Sequence, residues 1–253
     1  MTTEDAARPF PGPPERLERY IKDYRQYHDD HQKHLAGKVP EEKVAIIADL
    51  VNNLRSRVKR PRLLDYGSGK GYQYLRHRIQ EAWGGNLPVC YDPGVIHLAD
   101  RPTGLFHGII CTDVMEHIEE ADLTYIITDI FDYLVEPGGG WYPFVYFHIC
   151  CREARKYFPD GRNLHRTVQP PDWWEALFER HLLNRRSRGR KTLVNLVTRY
   201  EEAVEEVCAL RTEHGEVICR NGVLWGLTYS EEGVPGKRRA MGPCPNCNEG
   251  APT

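Results

Sequence analysis

The sequence predicts an α/β fold, a doubly wound and mostly parallel sheet with helices on both faces. Three observations point there. Short apolar runs alternate with amphipathic segments across residues 41–200, the pattern of linked βαβ units. The first run, RLLDY (62–66), leads directly into a glycine-rich turn, GSGKG (67–71). Two later runs, VCYD and IICTD, each end in an acidic residue, Asp92 and Asp113. In open parallel sheets such strand ends are where ligands bind.

Residues 1–16 are proline-rich and polar and are expected to form a loosely held tail. The stretch ERLERYIKDYRQYHDDHQKH (15–34) has helical spacing with a thin apolar stripe, which suits either a lid over a ligand pocket or a surface helix. Together, residues 1–40 read as a tail and helical cap. In PEEKVAIIADLVNNLRSRV (40–58), Val44, Ile47, Leu50, Val51 and Leu54 share one face behind an acidic first turn, an amphipathic helix with a clear start. After the glycine turn a helix is expected over 72–82, then strands at 87–92 and 105–113. A helix over 119–134 ends at EPGGG, followed by the strand WYPFVYFHIC (141–150). The irregular stretch FPDGRNLHRTVQPP leads to a helix, DWWEALFER. HLLNRRS and KTLVNLVTR flank RGR and suggest a hairpin. A helix over 200–211 and an apolar pair, EVICR with VLWGLTYS, occupy a C-terminal extension, 201–253.

Composition narrows the function. The 253 residues are 40% hydrophobic with a net charge of −2 and a sequence pI near 6.6. That does not suggest a globally basic nucleic-acid binder, although a local patch is compatible with it. No apolar stretch approaches the roughly 20 residues of a membrane span. The N-terminus lacks a basic segment followed by an apolar core. A cytoplasmic protein with reduced thiols is therefore expected. Eight cysteines are scattered along the chain, and CPNC (244–247) is the one CxxC pair. A zinc site needs further ligands, so a loose tail is favoured over zinc or redox use.

The glycines at 67, 69 and 71 follow G-x-G-x-G spacing. This is neither the dinucleotide fingerprint nor a P-loop. Asp92 lies 21 residues after Gly71, at a second strand end where a carboxylate can hold a ribose diol. LLDYGSGKG, VCYDP and IICTDVMEHI together resemble, in order, three motifs of the class I S-adenosylmethionine-dependent methyltransferases. The resemblance covers about residues 44–200. It implies a Rossmann-like, seven-stranded sheet and S-adenosyl-L-methionine as cofactor. It also implies that Gly67, Gly69 and Gly71 line the methionine and ribose portion, that Asp65 helps hold the amino group, and that Asp92 takes the ribose hydroxyls. Thr112 and Asp113 would sit near the methionine moiety and the substrate. Two departures stand out. The third strand, between Asp92 and Leu105, is shortened or absent, and His107 stands where the family often has an acidic residue.

Three histidines are candidates for work on the acceptor: His117, His148 and His165. A base is needed when the nucleophile must lose a proton, and histidine suits that near neutral pH. If the DVMEHI turn is helical, Asp113, Glu116 and His117 share a face and could hold a divalent cation. The alternative is that Asp113 caps a helix while Glu116 and His117 are local structure or substrate contacts. His148, near a strand end, is either a site residue or a core histidine. Asn163 and His165 lie in a loop and form the preferred pair for substrate orientation or base work. Trp173 and Trp174 could stack on a planar substrate, Trp173 being the candidate contact, although at least one of a tryptophan pair opening a helix is expected to anchor it in the core. RHLLNRRSRGRK (180–191) is either a solvated hairpin tip or a phosphate-contacting patch. The expected partner is a small-molecule acceptor, methylated on O or N. A nucleotide or nucleic acid comes second, and a cofactor-binding accessory protein without turnover is the rival class.

Overall fold

The computed structural model describes residues 14–30, 39–187, 195–201, 217–220, 223–229 and 235–243. The chain forms two compact units, Met1–Glu202 and Ala203–Thr253. Five strands make one sheet in the first unit: β1 (Leu63–Tyr66), β2 (Val89–Tyr91), β3 (Gly108–Thr112), β4 (Phe144–Cys150) and β5 (Asn195–Glu201). Their order is β2-β1-β3-β4-β5, and every neighbouring pair is parallel.

The expected seven strands are therefore five. Pro93, Gly94, Pro102 and Gly104 interrupt the stretch between β2 and β3, where proline and glycine deny a strand its ladder bonds; a short 3-10 turn, Ile96–Leu98, lies there instead. The antiparallel strands expected as an addition to the main sheet form a separate one in the second unit. There β6 (Val217–Arg220), β7 (Val223–Tyr229) and β8 (Pro235–Pro243) pair in that order. EVICR and VLWGLTYS supply β6 and β7. β8, PGKRRAMGP, lacks the alternating apolar pattern that marks a strand.

Among the described residues five α-helices accompany the strands: α1 (Glu15–Asp30), α2 (Glu41–Arg55), α3 (Tyr72–Leu75), α4 (Glu120–Asp132) and α5 (Pro171–Ser187). The sheet's two-residue period divides the core between two faces. Ile110, Phe144 and Tyr146 pack with Ile47, Val51 and Leu54 of α2 and with Trp83. Ile109, Cys111, Val145, Phe147 and Ile149 pack with Ile126, Ile127 and Ile130 of α4 and with Trp174 and Phe178 of α5. Helices thus cover both faces, which is why β3 and β4 read as unbroken apolar runs.

Two helices differ from expectation. α3 stops at Leu75, short of residue 82, and a 3-10 turn, Ile79–Trp83, follows after Arg78 at φ 51. HLLNRRS is not a hairpin strand; it is the second half of α5. The His181 ring lies tilted against Phe131, and Arg185 pairs with Asp132 at 2.7 Å, so contacts with α4 hold these turns helical. RGR and the residues around it lie outside the described residues, as do most of the expected 200–211 helix and the CPNC tail. Glu201 itself belongs to β5, not to a helix. Among the described residues no helix is long and apolar enough to cross a membrane.

Trp174 is fully buried, and its indole N–H donates to the Gln169 carbonyl at 3.2 Å. Trp173 is half-buried beside it. Trp174→Ala is expected to destabilise the first unit by about 3–5 kcal/mol, within the range for a large core truncation. Trp173→Ala should cost clearly less. Urea denaturation followed by far-ultraviolet dichroism checks both, and equal losses would contradict this packing.

Candidate functional site

The strand order reverses at β1, with β2 on one side and β3 on the other. Chain segments leaving β1 and β3 therefore diverge and open a crevice at their carboxyl ends. The glycine turn lies there. Gly67, Gly69 and Gly71 have φ of 79°, 54° and 66°, conformations that disfavour a Cβ. At Gly67 space is a second constraint, since a Cβ would stand 2.3 Å from a Val114 methyl. The turn from β1 is thus packed directly on the turn from β3.

Four of the turn's backbone donors are already used. Gly67 and Ser68 N–H donate to the Tyr91 carbonyl, Gly71 N–H to that of Ser68, and Gly69 N–H to Asp92 Oδ2 at 2.8 Å. A phosphate-cradling loop aims such donors at its ligand; these four hold the turn itself. Asp92 is nearly buried, and its Oδ1 accepts from Gly94 N–H at 2.8 Å. Asp65 is also buried, behind the turn, where Oδ2 accepts from the Tyr74 hydroxyl at 2.8 Å and the Gln73 amide at 2.9 Å. Burial, against those hydrogen bonds, raises its pKa to about 6.

Thr112 ends β3 and lies in register with His148 of β4. Asp113 follows at φ 56, a left-handed conformation that aspartate tolerates better than most residues. Its side chain is half exposed, its Oδ1 accepts from His148 Nδ1 at 2.8 Å, and Lys43 of α2 donates to both oxygens at 3.0–3.1 Å. Desolvation pushes the Asp113 pKa up, but the His148 hydrogen bond and the Lys43 charge outweigh it and hold it at about 2. With Asp113 taking the Nδ1 proton, His148 presents Nε2 as its basic nitrogen.

The DVMEHI segment is not an α-helix. Val114 has φ −127 and ψ −47, and only Met115–His117 form a 3-10 turn, with no side-chain cap from Asp113. Asp113, Glu116 and His117 therefore do not share a helical face. Glu116 and His117 instead meet His165, with one ligand-type atom of each lying within 4.8 Å of the others. The 163–167 segment is stitched to this turn. The Glu116 carbonyl accepts from Arg166 N–H at 2.7 Å and Thr167 N–H at 3.0 Å, and the Thr167 hydroxyl donates to the Ile118 carbonyl at 2.6 Å.

Both imidazoles in this cluster are oriented by backbone carbonyls. His165 Nδ1 lies 2.5 Å from the Arg152 oxygen, and His117 Nδ1 lies 2.9 Å from that of Leu164. A carbonyl only accepts, so each Nδ1 carries the proton. The Tyr24 hydroxyl, from α1, also contacts His117 Nδ1 at 2.7 Å. Burial lowers the His165 pKa, keeping that ring neutral. Glu116 is fully buried; Oε1 accepts from Cys150 N–H at 3.2 Å, and Oε2 has no hydrogen-bond partner among the described residues. Burial first, then the Asp113 charge, push its pKa to about 8.

α1 crosses this end of the sheet. Arg25 donates to the Pro93 carbonyl at 2.8 Å, Arg16 binds both Asp122 oxygens, and Asp23 pairs with Arg162 at 2.7 Å. Leu17, Tyr20 and Tyr27 supply its buried stripe. Other candidates have structural partners. Asn163 spends both ends of its amide on the loop, donating to the Ala154 carbonyl and accepting from Ala154 and His165 N–H. Trp173 packs against the core cluster of α4 and α5. His107 lies at the opposite strand end, accepting from Arg62 N–H at 3.1 Å and lying against Trp141. Lys43 and Tyr24 were not singled out from the sequence; each lies on a helix far from its partner in the chain, and no local pattern marks it. Comparison with known proteins finds no family pattern that the chain matches and no curated relative.

Asp65 gives a pH test. Its pKa rises from 3.8 to about 6 on folding, so between those values the folded state holds a proton that the unfolded state has lost. Stability from this group therefore falls as pH rises from about 4 to about 6, by at most roughly 3 kcal/mol. Urea denaturation at several pH values should show that slope in wild type and its loss in Asp65→Asn. Parallel curves would contradict the assignment.

Proposed function

We propose that the chain binds S-adenosylmethionine in the β1–β3 crevice and transfers its methyl group to an oxygen or nitrogen of a small-molecule acceptor. The observation that carries this reading is the glycine turn at the strand-order reversal, with four of its backbone donors turned inward. Such a turn offers close backbone approach without a phosphate cradle, which suits the uncharged ribose and the methionine portion of this cofactor better than a pyrophosphate.

Asp92 lies on the β2 side of the crevice. Its two oxygens accept backbone N–H groups from Gly69 and Gly94, which fixes the carboxylate at the strand end where a ribose diol would bind. On the β3 side, Asp113 and His148 form an oriented acid–base pair. In this reading His148 Nε2 accepts the proton of a hydroxyl or ammonium nucleophile. The nucleophile's lone pair attacks the methyl carbon, and the carbon–sulfur pair leaves with S-adenosylhomocysteine. Most of the acceleration in such a displacement comes from alignment, which fits a site built on rigid strand ends. α1, docked across those ends, would exclude water. Of the basic cluster on α5, Arg185 is engaged with Asp132.

Calorimetry with S-adenosylhomocysteine tests the proposal. Binding is expected, and Asp92→Asn should weaken it by about tenfold or more, the effect of losing a charge-assisted hydrogen bond. Circular dichroism guards against a folding defect in the variant. NADH should give no fluorescence change. Absence of S-adenosylhomocysteine binding, or saturable NADH binding, would overturn this reading.

A further inference from the structure

We propose that Glu116, His117 and His165 form a site for a single divalent first-row cation such as Mn2+, which binds hydroxyl oxygens of the methyl acceptor; the acceptor part of this inference rests on the methyl-transfer reading above. Two histidines and one carboxylate form a facial donor set for such cations. Their ligand-type atoms lie within 4.8 Å of one another; with bonds of about 2.0–2.2 Å to one ion, facial donors stand about 3 Å apart, so the side chains close in on the ion when it binds.

Three features make this more than a cluster of polar residues. Glu116 is fully buried with Oε2 unpartnered among the described residues, a costly arrangement unless a ligand completes it. Both histidines donate Nδ1–H to backbone carbonyls, Leu164 and Arg152. That is the outer arrangement that presents Nε2 to a metal, and Tyr24 adds to it at His117. The two backbone bonds from Arg166 and Thr167 to Glu116 fix His165 against the turn across 49 residues of sequence.

The neighbouring group of Asp113, His148 and Glu201 is a poorer cation site. Lys43 sits on Asp113 and Arg152 on Glu201, so each carboxylate already has a cation. The two clusters divide the work. Three protein ligands leave open positions on a six-coordinate ion, enough for two acceptor oxygens. Coordination acidifies a hydroxyl; its proton leaves to His148 or solvent, its oxygen bonds the methyl carbon, and the carbon–sulfur bond breaks. The products are a methyl ether, S-adenosylhomocysteine and one proton. The acceptor class is thus a diol or hydroxy compound able to chelate.

Titration of the full chain with Mn2+, read as loss of the free-ion electron paramagnetic resonance signal, tests the site without turnover. One bound ion per chain is expected. His165→Ala and Glu116→Gln should each weaken binding at least about tenfold, while Glu201→Gln leaves it unchanged. Circular dichroism of each variant confirms folding; if Glu116→Gln fails to fold, His165→Ala decides. No bound Mn2+, wild-type affinity in folded His165→Ala, or loss only in Glu201→Gln would overturn the site. Calorimetry with S-adenosylhomocysteine on the same samples separates the two ideas. Nucleoside binding without Mn2+ binding removes the cation site alone, and Mn2+ binding without nucleoside binding removes the methyl-transfer reading and, with it, the assigned acceptor.

Discussion

The reversal of strand order at β1 is the constraint on which the site depends. β2 and β3 flank the same strand, and all three point the same way, so their carboxyl ends present three turns side by side. Hydrogen bonds and packing then lock the turns together. Asp92 at the end of β2 holds the glycine turn after β1, and Gly67 of that turn packs on Val114 after β3. A bulkier residue at 67, or a lost carboxylate at 92, would disturb the arrangement on both sides of the crevice at once.

Beyond β3 the electrostatics separate two carboxylates that are close in sequence. Asp113 is half exposed and compensated by Lys43 and His148, so it stays ionised. Glu116, three residues on, is buried without such compensation, and its pKa is raised. Groups pushed apart in this way are a recurring mark of functional sites. The difference comes from the backbone. Asp113 turns outward in a left-handed conformation, whereas the 3-10 turn sends Glu116 inward beneath the loop that carries His165.

The sheet was legible where physics is local. Apolar runs bounded by glycine and proline identified β1 to β4, and the G-x-G-x-G spacing located the turn. The number of strands was not legible, because a resemblance supplied it; the gap between Asp92 and Leu105 was legible, since Pro93 and Pro102 leave no room for a third strand. The second half of α5 was misread because two leucines before a basic cluster suit a strand as well as a helix. The Glu116–His117–His165 meeting was hidden for another reason. Helical periodicity grouped Glu116 with Asp113, but one residue with positive φ ended that register. The true partner lies 49 residues away, reached only through tertiary hydrogen bonds.

The most direct measurement is a crystal structure of the chain with S-adenosylhomocysteine bound. The nucleoside should occupy the crevice between the ends of β1 and β3, with both ribose hydroxyls on Asp92 and the sulfur directed toward Asp113 and His148. Density for the ligand elsewhere on the molecule, or a ribose turned away from Asp92, would contradict the assignment of this crevice to a methyl donor.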